Sequence, residues 1–560
     1  MNEWGLNFSP LVKIRTKRTS VWDAVSWAFG LAVLVVGCGD SQSPGTDPTP
    51  TPPPTPTAVV ATYHNDNQRT GQNLHETVLT PQNVKSATFG KLFSYAVDGA
   101  LYGQPLVINN LQMSTQGIRN VVFVASEHDS VYAFDADQKS PGMLWHVNFL
   151  DTSSNISAVP CADEPTTCDF IGTEIGITST PVIDISTQTL YVAAFTKESG
   201  AYAHRLHALD LATGAEKFGG PVIIQGTVPG TGDGSDGTNV SFNPHQHLQR
   251  SALLLDNGVV YVAFASFDDS VPYHGWVFGF DGQSLQQRFL LNLSPNGTAA
   301  AVWESGGGAA SDGAGNIYVV TGNGTFDANS GGKDFGNSFL RLVAGGSALS
   351  VADYFTPFNQ ASLNAVDNDL GSGGPLLLPD QTGSHPHLIL AGSKEGILYL
   401  VDRDGMGHFN AANNSQIVQS LVGVVGKIFC TPAFWENKVY IAGVKDSLKV
   451  FNLNNGLLST APASRSTNTF GFPGATPSIS ANGSQAGIVW TLENAAFRVQ
   501  KPAVLHAYDA NDVSNELYNS QQAGTRDLLP IGVGFGVPTI ANGKVYVGTV
   551  SELDVFGPLQ

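Results

Sequence analysis

Charge, sulfur and long apolar runs are all scarce in this 560-residue chain. Charged residues make up only 13%, too few for long solvent-facing helices, while 62 glycines suit frequent tight turns between strands. Little helix is expected. Only four cysteines occur, Cys38, Cys161, Cys168 and Cys430. None belongs to a Cys-x-x-Cys-His sequence, so covalently attached haem is excluded, and neither their spacing nor nearby histidines suit zinc. Lys and Arg number 27 against 46 Asp and Glu, a net charge of −19, which argues against nucleic acid or anionic lipid as the main partner.

The longest apolar stretch, Ala24 to Val36, is too short for a comfortable membrane span but suits the core of a signal peptide behind Lys13, Arg15, Lys17 and Arg18. It ends Val35-Val36-Gly37-Cys38, which resembles a bacterial lipobox. On that reading residues 1–37 are a lipoprotein signal peptide and Cys38 carries the lipid. The alternative is an ordinary signal peptide or a short anchor, and Asp23 fits neither well. Residues 38–58, with Pro and Thr alternating from Pro48 to Thr57, form a semi-rigid spacer. Residues 59–560 then form one domain, held at the cell envelope by the lipid alone and facing periplasm or exterior. Without residues 1–37 the chain keeps 23 Lys and Arg against 44 Asp and Glu, about −21. In an oxidising compartment Cys161 and Cys168 are spaced to close a disulfide, whereas Cys430, inside Ile428-Phe429-Cys430-Thr431-Pro432, reads as a buried thiol.

What is abundant is a repeated strand phrase. A β-branched run with an aromatic, Val121-Val122-Phe123-Val124, is followed by Val131-Tyr132-Ala133-Phe134-Asp135. Related pairs recur at Leu190–Ala193 with Leu206–Asp210, Val259–Val262 with Val277–Asp281, Val439–Ile441 with Leu448–Asn452, and Val545–Val547 with Leu553–Phe556. Strands alone, repeating at roughly 45 residues, predict an all-β propeller. Eight openings with small residues or Pro are found, at 103–105, 179–181, 250–252, 307–309, 373–375, 430–432, 475–477 and 536–538. Eight blades follow, with seven the alternative if one irregular repeat is an insertion. The last repeat has strands for only three positions, so Lys91–Val97 is expected to supply its outer strand and close the ring. The inserts 151–176, 226–249, 294–306, 323–338 and 357–373 read as loops and as the candidate functional surface.

These blades resemble those of the quinoprotein alcohol dehydrogenase superfamily, together with the lead-in Asp66–Val84 ending Leu79-Thr80-Pro81-Gln82-Asn83-Val84. Membership would imply pyrroloquinoline quinone and calcium on the axis of an eight-bladed propeller. Thr321-Gly322-Asn323-Gly324 is similar to the family's Thr-Gly-Asn turn, which implies Asn323 as a calcium ligand beside the quinone. Asp367-Asn368-Asp369-Leu370 is similar to its acidic loop, which implies Asp369 as catalytic base and metal ligand. Lys394-Glu395-Gly396 resembles the stretch whose basic residue contacts the quinone. A hard cation wants carboxylate and amide oxygens, a carboxylate takes the alcohol proton, and a lysine offsets charge on the quinone oxygen.

The departures point the other way. The family's adjacent cysteines become the separated Cys161 and Cys168, and after Gly306-Gly307-Gly308 stand Ala309, Ala310, Ser311 and Asp312 where a stacking tryptophan is expected. Trp303 is nearby but out of register, and the metal-binding glutamate has no clear counterpart beyond Glu174 or Glu304. The apolar clamp for a planar cofactor therefore reads as lost. The favoured reading is a tethered, non-catalytic binding or assembly module, with a protein partner or small ligand at the loop face or channel. The alternative is a dehydrogenase dependent on calcium and pyrroloquinoline quinone. His245 and His247 could share a metal or anion but fall short of a full site, and Glu127-His128-Asp129 reads as a turn.

Overall fold

The computed structural model describes residues 55–164, 171–346, 348–494 and 500–559. The chain divides into two compact units, Met1–Pro53 and Pro54–Gln560. The whole of the first, with the expected lipidation site Cys38, lies outside the described residues, and so does Cys168. Among the described residues no helix is long and apolar enough to cross a membrane.

Eight antiparallel sheets follow one another along the second unit, as the eight openings predicted. The repeated phrase forms the second and third strands of each blade, with Val122 opposite Phe134, Tyr191 opposite Ala208, Val260 opposite Phe280 and Val439 opposite Phe451. Its closing acid has a structural task. Asp135, Asp210, Asp281 and Asp509 each turn a carboxylate oxygen onto a backbone N–H two residues ahead, shaping the turn into the fourth strand. Asn257-Gly258 and Asn542-Gly543 sit at positive φ in the turns between first and second strands, where a two-residue hairpin needs left-handed backbone.

Facing sheets bury their runs against each other. Phe123 and Trp145 of the first blade pack with Leu190 and Val192 of the second, and Trp276, Trp435 and Trp490 are fully buried. The ring closes as the sequence required. Phe89–Ala96 pairs antiparallel with Glu552–Pro558 as the outer strand of the eighth blade. Phe89 is wholly buried there beside Tyr518, Trp490 and Phe556.

Residues 57–76 form a belt inside the ring that the sequence did not announce. Thr57–Val60 pairs with the inner strand of the first blade, and the Ala61 carbonyl accepts from Ile183 of the second. Asn67 reaches the Leu255 carbonyl in the third and accepts from Ser311 of the fourth. Gln68, Thr70 and Gly71 accept from Leu377, Phe434 and Ile479 of the next three, and Asn73 donates to Ile540 of the eighth. Arg69, fully buried, donates to the Ala309 carbonyl at 2.7 Å, to Tyr63 at 2.9 Å and to the Thr62 hydroxyl at 2.8 Å.

The inserts are not all loops. Gln360–Ala365, inside 357–373, is a short α-helix, because Gln, Ala and Leu favour helix and Leu363 finds a buried position. Thr227–Pro229 and Asn239–Ser241 pair as a hairpin within 226–249.

Candidate functional site

A cavity of about 320 Å³ opens at one end of the ring. Its lining comes from the connections leading into all eight blades: Tyr102, Ile171, Arg250, Trp303, Asp369, Phe429, Phe472 and Phe535, in blade order. Asp269 and Lys394 join from the turns between second and third strands of the third and fifth blades. Only the axis is common to all these connections.

The resemblance named three residues: Asp369 and Lys394 line this cavity, and Asn323 is bonded to Asp369 without being part of the lining. Asp369 accepts the Asn323 backbone N–H at 2.6 Å on Oδ1, while Lys394 Nζ lies 2.6 Å from its Oδ2 and 2.7 Å from Asp367 Oδ1. Burial alone would lower the Lys394 ammonium; the charges of Asp369 and Asp367 outweigh it and raise its pKa. The Thr-Gly-Asn turn owes its glycine to this packing, since a Cβ on Gly322 would lie 2.5 Å from Asp369 Oδ1 and 2.9 Å from Trp303 Cδ1. Asp269, held by the Tyr273 hydroxyl, has its carboxyl pushed up by burial and by the nearby Asp369 and Asp367 charges.

The cavity has an aromatic wall, without the adjacent cysteines or the tryptophan after the glycine run. Phe429, Phe472 and Phe535 form an aromatic arc, with ring centroids 5.2 and 5.9 Å apart at interplanar angles of 73° and 84°. Each end of the arc carries a cation: Lys394 Nζ is 6.0 Å from the Phe429 ring, and Arg250 Cζ is 5.0 Å from Phe535 and 5.8 Å from Tyr102. Trp303 also lines the cavity. It stands out of register with Gly306-Gly307-Gly308 as expected, inside a strained loop in which Ala299, Ala300, Glu304 and Ser305 all have positive φ.

Other candidates lie elsewhere. Glu174 pairs with His128 at 2.8 Å, and Glu304 is buried with Oε1 on the Val320 N–H, its carboxyl pushed up to about 8 by burial. Glu127-His128-Asp129 is the expected turn, but Glu127 is buried and accepts from Gly176 and Thr178. His245 meets Glu164 at 3.0 Å and stacks on Tyr202, whereas His247 binds the Asn243 carbonyl and accepts from His274, so the two share no ligand. Cys161 is disulfide-bonded. Cys430 is a buried thiol, its pKa pushed up to about 12 by burial.

Among the described residues no group of three or more His, Cys, Asp or Glu is arranged to hold a metal ion. The oxygens implied for calcium are otherwise engaged. Asn323 Oδ1 accepts from Asn337, and Asp369 is shared between a backbone N–H and Lys394. Calcium does not fit this arrangement.

Sequence missed Arg250, Asp269 and the three phenylalanines, each a lone residue in a connection. The one available signal was the recurrence of Arg250 and the phenylalanines at or just ahead of a blade opening, and Asp269, in a turn within the third blade, had none.

No family model matches the chain, and no curated protein matches it in sequence. Solved structures do. A quinohemoprotein alcohol dehydrogenase from Comamonas testosteroni aligns with a TM-score of 0.57 at 12% identity, covering 89% of this chain and 80% of that one. Quinohemoprotein alcohol dehydrogenase ADHIIG from Pseudomonas putida HK5 gives 0.56 at 12% identity over the same shares, 89% and 80%. A europium-containing methanol dehydrogenase gives 0.55 at 13%, covering 89% of this chain and 98% of that one. The chain shares their eight-bladed propeller fold.

Proposed function

We propose that this protein is a ligand-binding propeller of the bacterial cell envelope, tethered through Cys38, which takes a planar anionic ring compound in its axial cavity. The observation that carries the reading is the arc Phe429–Phe472–Phe535 with a cation at each end. A flat ring gains from stacking on aromatic walls, and negative groups at its edges gain from Arg250, Lys394 and Lys427. The same lining also carries Asp268, Asp269, Asp367 and Asp369, so the cations act locally at the ends of the arc rather than through an excess of positive charge.

Pyrroloquinoline quinone is flat and carries several carboxylates, so it suits this lining. Trp303 and the phenylalanines would hold its ring, and Arg250 and Lys427 its acids. Bound there, it would supply a hydride acceptor. No step is assigned to calcium, whose ligands are not assembled. A dehydrogenase is the second reading, favoured by Asp369 in the cavity wall with Lys394 beside it: the carboxylate can take an alcohol proton and the ammonium can offset charge.

The test is an absorbance titration of the purified protein with pyrroloquinoline quinone, with and without calcium, followed by dye-linked oxidation of alcohols and sugars. Micromolar binding without turnover is expected. Absence of quinone binding overturns the quinone assignment. Turnover that disappears in Asp369→Asn replaces the binding reading with the dehydrogenase.

A further inference from the structure

Of the three cations lining the cavity, Arg250 is the buried one that no carboxylate pairs: Lys394 is held by two acids, and Lys427 is exposed to water. Arg250 is only 7% exposed, yet among the described residues no carboxylate comes within ion-pair distance of it. Its Nη2 donates to the Ser305 carbonyl at 3.2 Å. Lys394, at the other end of the arc, has two carboxylates within 2.7 Å. Of the other buried arginines, Arg69 gives its donors to backbone carbonyls and a hydroxyl, and Arg403 lies 3.7 Å from Asp312.

The neighbourhood of Arg250 is built to hold a guanidinium in place. Phe535 and Tyr102 carry it over their rings, and Gly306 lies against it with no side chain, a Cβ there falling 2.9 Å from Nη1. Glu127 is the acid whose field it feels most. That carboxylate is already committed to the Gly176 N–H and the Thr178 hydroxyl, and burial pushes it up to about 7, so it is a poor counter-ion. Keeping an unpaired guanidinium from water is unfavourable. A planar carboxylate arriving through the cavity would relieve that, because the guanidinium fork matches two carboxylate oxygens.

We propose that Arg250 is the anion anchor of this cavity and that the ligand is an aromatic carboxylate, its acid on Arg250 and its ring along the phenylalanine arc. The end facing Lys394 then meets an ammonium already outnumbered by Asp369 and Asp367, so an uncharged hydrogen-bonding group rather than a second acid belongs there. This deepens the planar-anion reading and rests on it, but it does not require the quinone.

Calorimetric titration of the full-length protein with naphthoate and its neutral twin naphthamide tests it. The wild type should prefer naphthoate by about tenfold or more, the usual size of a hydrogen bond to a charged group. Arg250→Gln should bring naphthoate down to the amide's affinity, and Arg250→Lys, which keeps charge but loses the fork, should retain part of the preference. Equal affinities in the wild type, or an undiminished preference in Arg250→Gln, overturn the proposal. If melting curves show Arg250→Gln unfolded, the wild-type ratio and Arg250→Lys decide the matter. Failure of pyrroloquinoline quinone to bind while the naphthoate preference persists removes the quinone and leaves the anchor standing.

Discussion

Lys394 Nζ lies 2.6 Å from Asp369 Oδ2, joining the turn between two strands of the fifth blade to the loop that leads into that blade. Both side chains are largely withdrawn from solvent, 15% and 6% exposed. A buried pair of this kind is most sensitive to losing one member.

Lys394→Met should therefore destabilise the protein by about 3 kcal/mol, since it leaves Asp369 buried and charged. Lys394→Met combined with Asp369→Asn should recover much of that loss. Urea unfolding of the two single variants and the double variant measures the coupling, and additive effects would show that the pair contributes little.

Phe89 seals the ring from the N-terminal side, packed against Tyr518 at 5.0 Å and Trp490 at 5.5 Å between centroids. Phe89→Ala should cost about 3–5 kcal/mol, as large-to-small changes in closed cores do. Its partner strand is the last of the chain, so a single cooperative denaturation shifted to lower midpoint is the expected trace.

Arg69→Met should cost about 3 kcal/mol, because it leaves the Ala309, Tyr63 and Leu253 carbonyls short of a donor within the ring. Arg69→Lys, with one ammonium in place of a fork, should rescue little. Thermal melting of both variants distinguishes loss of geometry from loss of charge.

Stability should rise as pH is lowered from about 8.5 to about 6.5. Burial raises the folded-state values of Glu127 and Asp554 to about 7 and of Glu304 to about 8. The folded protein thus binds more protons than the unfolded chain in this window, so stability is lost as pH climbs through it. Below about 6.5 the trend should flatten. His204 and His247 are lowered by burial to about 3 and about 4, so there only the unfolded chain takes up their protons. Glu304→Gln should gain stability at pH 8.5 and show a shallower slope in melting temperature.

The blades were legible because each needs two β-branched strands in a hairpin, a short-range pattern that repeats. Asn323, Asp369 and Lys394 were legible because each belongs to a short motif. That Trp303 enters the cavity wall was not legible, since its direction depends on the left-handed residues around it. The belt from Thr57 to Glu76 escaped notice because its bonds run largely through backbone groups, which leave no side-chain pattern to read.

The sequence by itself determined the eight repeats and the strand that closes them, which follow from local runs and turns, while Asn323, Asp369 and Lys394 were singled out only through the family resemblance. Tertiary structure alone decided that Arg250, Phe429, Phe472 and Phe535 share one cavity. They stand in separate connections and meet only because closing the ring turns those connections toward a common axis.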